Sequence, residues 1–409
     1  MPTLALFDAF GIELEYMVVD RESLDIRPIS DFVLRDPSGA PVSDLEHGEI
    51  SWSNELTHHV IELKTSGPAP SLIPLPDLFQ ANVREVNSRL REANACLLPT
   101  AMHPWMDPDR EMQLWPYEYH AVYETFHKIF DCRGHGWANL QSMHINLPFA
   151  SDEEFRRLHA ACRLVLPFLP GLAASSPFRD GIAPGPLDCR LDAYRRNAGR
   201  VPSVAGRVIP EPVYDEASYH RDVFEPMLRD VAPYDPGGVL KSEFLNARGA
   251  IARFSRGAIE IRVIDVQECP PADLAIAALT VELVRSLVEE NWSSTIEQMA
   301  VPIEPLERIL IAAIDDADEA IVDDATLLRL FGIPESNLNL REFWQIIRET
   351  VSGGDRLRPH SQSLDVILSE GCLARRMVRA AGKPNERAAL RALFADLADC
   401  LEAGELFQG

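Results

Sequence analysis

The 409-residue chain is 46% hydrophobic, enough for a sizeable core in one large domain or two ordinary ones. Its formal net charge of -24 argues against a nucleic-acid partner, because phosphate backbones are bound by concentrated Lys and Arg, and an anionic membrane would repel it. No basic segment followed by an apolar run opens the sequence and no apolar stretch is long enough to span a bilayer, so a cytoplasmic protein is expected.

The first predicted strand runs from Leu6 to Val19, with Glu13 and Glu15 on one face and Leu14, Tyr16 and Val18 on the other. A turn-rich stretch with a loop at Pro37–Pro41 follows. Ser51–Asn54 then leads through Glu55 to a strand over His59–Thr65, in which Glu62 and Lys64 share a face opposite Ile61 and Leu63. Lys64 is read as surface. His58 and His59 alternate, so at most one of them faces the acids.

Four prolines between Pro68 and Pro76 break the sheet, and an amphipathic helix is predicted from Pro76 through Leu98, with Leu78, Phe79, Val83, Val86 and Leu90 at helical spacing. The loop Met102-His103-Pro104-Trp105 comes next; His103 is either a satisfied loop histidine or a binding residue. Leu140–Phe149 reads as a strand with His144 and Asn146 on one face and Met143, Ile145 and Leu147 on the other. Ser151 and Glu154 form a capping-box pattern, predicting a helix over Asp152–Leu166 that Pro167 and Pro170 end. From Ser175 to Gly238 the chain is rich in Pro and Gly, the composition of a lid or binding loop.

Gly257–Asp265 reads as a further strand with Ile259, Ile261 and Val263 toward a core and Glu260 and Arg262 together on the open face; Phe244–Phe254 is placed beside it. After Cys269-Pro270-Pro271 the chain reads as helices, about 272–291, 305–320, 340–351, 364–380 and 385–403, expected to cover the apolar face of the sheet. The seven scattered cysteines include no Cys-x-x-Cys pair and are read as reduced, mostly buried thiols.

One acid on an open strand face is ordinarily solvated surface. Here four strands repeat the pattern and gather Glu13, Glu15, Glu62, His144 and Glu260, with Glu55 seven residues ahead of Glu62. Carboxylates packed together repel unless cations lie among them, and oxygen ligands with one imidazole suit Mg²⁺ or Mn²⁺ better than zinc, two or three ions for this many acids. Arg262 adds a partner for phosphate; Arg253 and Arg256 are weaker candidates that also fit a solvated turn. Carboxylate-held Mg²⁺ beside arginine is a general arrangement for phosphoryl transfer from ATP. Neither a Gly-x-x-x-x-Gly-Lys-Ser/Thr loop nor a Gly-x-Gly-x-x-Gly after the first strand is present.

GIELEY, HVIELKT, the MHPWM loop, QSMHIN, SSPFRDG..PG...CR and IEIRVIDVQ, in this order between Gly11 and Gln267, resemble the glutamate–cysteine ligase type 2 family, also called carboxylate–amine ligases. The resemblance implies an α+β, glutamine-synthetase-like catalytic fold: a curved antiparallel sheet binding metal and ATP on its concave face, with helices behind and a helical C-terminal third. One catalytic domain over 1–409 is expected, sheet-bearing to 269 and helical from 270. It also implies that ATP phosphorylates a side-chain carboxylate, that of glutamate by default, and that an amine, cysteine by default, attacks the acyl phosphate.

By the same resemblance Glu13, Glu15, Glu62, His144 and Glu260 match metal positions, Glu55 matches an acid preceding Glu62, and Arg262 matches the phosphate-binding arginine. Arg190 is the first choice for gripping the substrate carboxylate, and Asn146 stands where relatives often carry a second histidine. The expected partners are small molecules, with neither nucleic acid nor membrane; oligomeric state is left open, a homo-oligomer included. The competing readings are a ligase of this class with another acid or amine, and a dinuclear metal hydrolase, which the arginine beside the acids disfavours.

Overall fold

The computed structural model describes residues 3–351, 353–382 and 385–409. Its central sheet has eight strands: β1 (Gly11–Asp20), β2 (Asp44–Leu45), β3 (Ile50–Asn54), β4 (Val60–Thr65), β5 (Ala95–Leu98), β6 (Ser142–Pro148), β7 (Ala250–Arg253) and β8 (Ala258–Asp265). The order is β2-β3-β4-β1-β6-β8-β7, and every pairing is antiparallel. β5 lies against the second half of β1, along the edge that β6 occupies in the first half. The four strands bearing the acids and His144, namely β4, β1, β6 and β8, are therefore consecutive neighbours.

One face of this sheet is apolar throughout. Ile12, Leu14 and Tyr16 of β1, Ile61 and Leu63 of β4, Ile145 of β6 and Ile259 and Ile261 of β8 are all fully buried. They join one continuous core with Phe79 and Val83 of the Leu75–Leu90 helix, Phe155 of the Asp152–Val165 helix and Leu279 of the Pro270–Val288 helix. The last of these begins with Pro270 and Pro271 in its first turn, where a missing N–H costs nothing. It is buried on nearly every side, which makes it the layer between the sheet and the outer C-terminal helices.

The opposite face is polar at one end only. Met17 and Val19 follow Glu13 and Glu15 on that face, and they pack with Leu98, Trp105, Phe178, Leu393, Phe394 and Leu397 in a second core. The C-terminal helix (Arg387–Ala403) thus covers the sheet face that carries the acids, beyond Glu15, rather than the apolar face. The MHPWM loop is consumed here as well: His103 is buried with its Nε2 2.8 Å from the Leu24 carbonyl.

Other elements depart from the sequence expectation for local reasons. β1 starts at Gly11, five residues later than expected. The helix expected through Leu98 ends at Leu90; a short 3₁₀ turn and Asn94 in the left-handed region (φ 53°) redirect the chain into β5. The Asp152–Val165 helix ends before Pro167 as expected, but the chain stays helical, with Pro167 and Pro170 each in the first turn of a new segment, Leu166–Phe168 and Leu169–Ala173. The Ser175–Gly238 stretch is not a bare loop: it contains the Cys189–Asn197 and Glu225–Val231 helices, with Tyr219, Phe224 and Met227 buried. The helix expected over 364–380 is two, Ser361–Glu370 and Leu373–Ala381, parted at Gly371 (φ 92°). The seven cysteines are free, five of them buried. Among the described residues no helix is long and apolar enough to cross a membrane.

Candidate metal and phosphate site

The strand register brings the polar residues face to face. Glu13 stands opposite Lys64 on β4 and His144 on β6, Glu15 stands opposite Glu62, and Asn146 is flanked by Gly11 and Glu260. Gly11 matters in this arrangement because a Cβ there would come within 2.9 Å of the Asn146 Cβ. One ligand atom from each of Glu13, His144 and Glu260 lies within 4.8 Å of the others, a spacing that one cation could bridge.

The hydrogen bonds explain how these acids coexist. Glu13 accepts from Asn146 Nδ2 at 3.0 Å through one oxygen and lies 2.8 Å from His144 Nδ1 through the other. Ser142 donates to Glu15 from its backbone N–H at 2.6 Å and from its hydroxyl at 2.9 Å. Because that hydroxyl spends its proton on Glu15, His144 Nε2, 2.9 Å away, must donate to it. A neutral His144 is then left with only an acceptor at Nδ1, and the contact with Glu13 requires a proton on one of the pair. The electrostatics agree: burial and the neighbouring Glu260 charge raise the Glu13 carboxyl, while burial and the nearby Arg262 lower His144. A proton thus occupies ground that a metal ion would take.

Burial also raises Glu15 and Glu62, and it pushes Glu55 well up, with the charges of Glu15 and Glu62 adding to the effect. Glu62 is steadied by the Ser53 hydroxyl and by Lys64, whose ammonium lies 3.3 Å from Glu62 and 2.8 Å from Asp44. Lys64 is half-buried and belongs to the cluster, contrary to its reading as surface. His58 instead pairs with Asp31, and neither it nor His59 joins the site.

Glu260 behaves differently. Burial alone would raise it, but Arg253 and then Arg262 hold it down at about 2. Arg253 Nη2 donates to it at 3.0 Å, and Arg262 Nη1 lies 3.1 Å away. The Arg262 Nε is buried with no hydrogen-bond partner among the described residues, while the side chain as a whole is 27% accessible. Arg256 is exposed at the β7–β8 turn beside Gly257 (φ 62°) and is not brought into the cluster. Arg190, expected to grip the substrate carboxylate, is placed below the surface. It is 2% exposed, and its guanidinium already holds Asp265 at 3.3 Å and the Arg262 carbonyl at 2.8 Å.

Two residues escaped sequence reading. Ser142 alternates with His144 and Asn146, so period two could have found it. Asp265 could not be found that way, because alternation assigns it to the apolar face with Ile261 and Val263. β8 carries a bulge: Met143 pairs with Ile264 but Ile145 with Ile261, so Arg262 and Val263 together oppose His144. The extra residue turns Asp265, opposite Ser142, onto the polar face.

Comparison with known proteins fits this architecture. The chain is 34% identical over 283 residues to an uncharacterised Archaeoglobus fulgidus protein, covering 68% of this chain and 75% of the relative. It is 26% identical over 287 residues to a Nocardioides sp. protein provisionally named glutamate–cysteine ligase 2-1, covering 69% of each. The glutamate–cysteine ligase of Francisella tularensis, solved in complex with AMP, superposes with a TM-score of 0.56 over 97% of this chain and 92% of that one at 13% identity, a likeness of fold. The model for glutamate-cysteine ligase family 2 matches residues 9–329, and the chain belongs to that family.

Proposed function

We propose that the protein is an ATP-dependent carboxylate–amine ligase whose catalytic unit spans both the sheet and the C-terminal helices. In this reading it forms a γ-glutamyl amide through an acyl phosphate, with glutamate and cysteine as the default pair. The observation that carries the reading is the meeting of Glu13, His144 and Glu260 within 4.8 Å beside Arg262, whose guanidinium lies 3.1 Å from Glu260 with 27% of the side chain accessible. A dinuclear hydrolase has no use for two arginines on one of its acids, whereas a transferring phosphoryl group does.

The donor set fits a hard divalent cation, Mg²⁺ or Mn²⁺: carboxylates and one imidazole, without thiolate. Glu13, His144 and Glu260 would hold one ion, and Glu15, Glu55 and Glu62 flank it as the further acidic ligands. When bound, such ions neutralise phosphate charge and align the γ-phosphate of ATP. The chain's own residues do the rest. Arg262, fixed by Glu260, offers its partly accessible guanidinium to the transferring phosphoryl oxygens, and Arg253 keeps Glu260 ionised as its companion cation. Asn146 holds Glu13 in place and presents its amide near the reacting end of the substrate. Membership of the family and the AMP complex of the Francisella tularensis ligase support the reading. Incubating the purified protein with Mg²⁺, ATP, glutamate and single amines tests it: ADP and a γ-glutamyl amide appear together, in amounts that depend on the amine. ATP-independent ester hydrolysis, or no turnover with any acid and amine, overturns it.

A further inference from the structure

The bulge in β8 creates a local problem. Arg262 and Val263 share one partner position, and the backbone between Glu260 and Asp265 is no longer set by a regular ladder. On its N–H side Arg262 donates to the Gly249 carbonyl at 2.8 Å. On its C=O side the acceptor is filled by a side chain: Arg190 Nη2, at 2.8 Å. The other arm of the same guanidinium, Nη1, reaches Asp265 at 3.3 Å, just past the bulge. Arg190 therefore spans the irregular segment from one end to the other.

The rest of the SSPF…CR motif supports this contact. Asp265 Oδ2 accepts from the Ser175 N–H at 2.9 Å and from the Ser176 hydroxyl at 2.8 Å. The Ser176 hydroxyl also receives the Arg190 N–H at 3.1 Å. Asp188 caps the Cys189–Asn197 helix through the Leu191 N–H at 2.7 Å, and so sets the direction in which Arg190 leaves that helix. Each of these groups is at most 2% exposed, except for the backbone they serve. A planar guanidinium can hold a carbonyl and a carboxylate at once, which an ammonium point charge in one position cannot reproduce.

We infer that Arg190 is a positioning residue that clips the β8 bulge between the Arg262 carbonyl and Asp265, holding the Arg262 guanidinium beside Glu260 where it meets the phosphoryl group. The role rests on the ligase reading for its catalytic consequence but not for its structural one, so the two are tested separately. Arg190→Lys keeps the charge and can satisfy only one of the two acceptors; Asp265→Asn breaks the clip from its other end and guards against a folding failure of the first variant. In steady-state assays with Mg²⁺, ATP and glutamate, both variants lower kcat by up to about 100-fold, the scale expected from displacing a catalytic group by an ångström, while the KM values for glutamate and ATP stay within about threefold. The double variant is no worse than the weaker single, because both break one unit. In amide hydrogen exchange, residues 258–265 lose protection in Arg190→Lys while the unfolding temperature holds. A raised glutamate KM at unchanged kcat overturns the inference in favour of direct substrate binding, and so does unaltered exchange. If the wild-type protein turns over no acid and amine, the ligase reading fails, and the exchange result alone decides whether the clip exists.

Discussion

Arg262 Nη1 lies 3.1 Å from Glu260 Oε1, two residues away on the same face of β8, and the two form an ion pair whose acid is fully buried. Glu260 is the one acid of the cluster held ionised at about 2; burial pushes Glu13, Glu15, Glu55 and Glu62 upward. The arginines already neutralise Glu260, so its contribution to a bound cation is a charge that needs no proton to leave. Glu13 and His144 supply the opposite case, a site that must lose a proton to bind metal.

Glu260→Gln tests the first half of that division. ADP formation falls at least about 1000-fold, because a fixed carboxylate ligand and the anchor of Arg262 disappear together. Arg253 and Arg262 lose a buried partner but keep partial exposure, with side chains 19% and 27% accessible, so unfolding shifts by a few degrees only. Calorimetry beside the ADP assay checks both, and a collapse of the fold would make Glu260 structural.

Glu13→Gln tests the second half. The amide oxygen of Gln still accepts from Asn146, so the strand pairing is retained, but the anionic ligand is gone. Titration with Mn²⁺ followed by calorimetry or electron paramagnetic resonance shows affinity reduced about 10-fold or more, on the scale of disturbing ligands to a metal. Unchanged Mn²⁺ affinity would remove Glu13 from the ligand set.

Much of this site was legible because strand alternation is strict. Period two placed Glu13 with Glu15, His144 with Asn146 and Glu260 with Arg262, and one buried face left no freedom of register. That the four strands are neighbours was carried by family resemblance, since pairing between β8 and β1 through β6 joins residues about 250 apart in sequence, beyond any local signal. What escaped reading involved an irregularity or a long-range partner. The β8 bulge inverted Asp265, and Asn94 in the left-handed region hid β5 behind a helical pattern. Arg190, which the resemblance assigns to the substrate carboxylate, holds Asp265 and the Arg262 carbonyl on its two arms, partners far from it in sequence.

Lys64 supplies a cation to an acidic cluster and should reveal how much of that charge a metal can replace. Lys64→Met leaves Glu62 and Asp44 without the ammonium that lies 3.3 and 2.8 Å from them. Without metal the variant is less stable by roughly 1–3 kcal/mol, the usual consequence of stranding a buried polar group. Saturating Mn²⁺ restores much of this, so the metal-induced rise in unfolding temperature is larger than in the wild type. Equal losses with and without Mn²⁺ would make Lys64 an ordinary ion pair, independent of the metal site.

Outside the acid cluster, three buried histidines should govern the response to acid. Burial lowers His59 and His159 to about 3 and His103 to about 4, and at His159 the charge of Arg163 adds to the desolvation. Their folded pKa values lie below the unfolded value of about 6.5, so the unfolded chain takes up protons that the folded chain refuses. Their stabilising contribution is full above about pH 6.5 and is lost as pH falls toward the folded values, at roughly 1.4 kcal/mol per pH unit for each histidine. His159 is the residue to replace, because it stacks on Phe155 with ring centroids 5.1 Å apart and an aromatic ring can keep that packing. His159→Phe should therefore lose about 2 kcal/mol less than the wild type between pH 6.5 and 5, measured by urea unfolding at each pH. The raised carboxylates act in the opposite direction but are common to both proteins and cancel in the difference. Parallel pH profiles would mean that His159 is protonated in the fold and that burial does not exclude its charge.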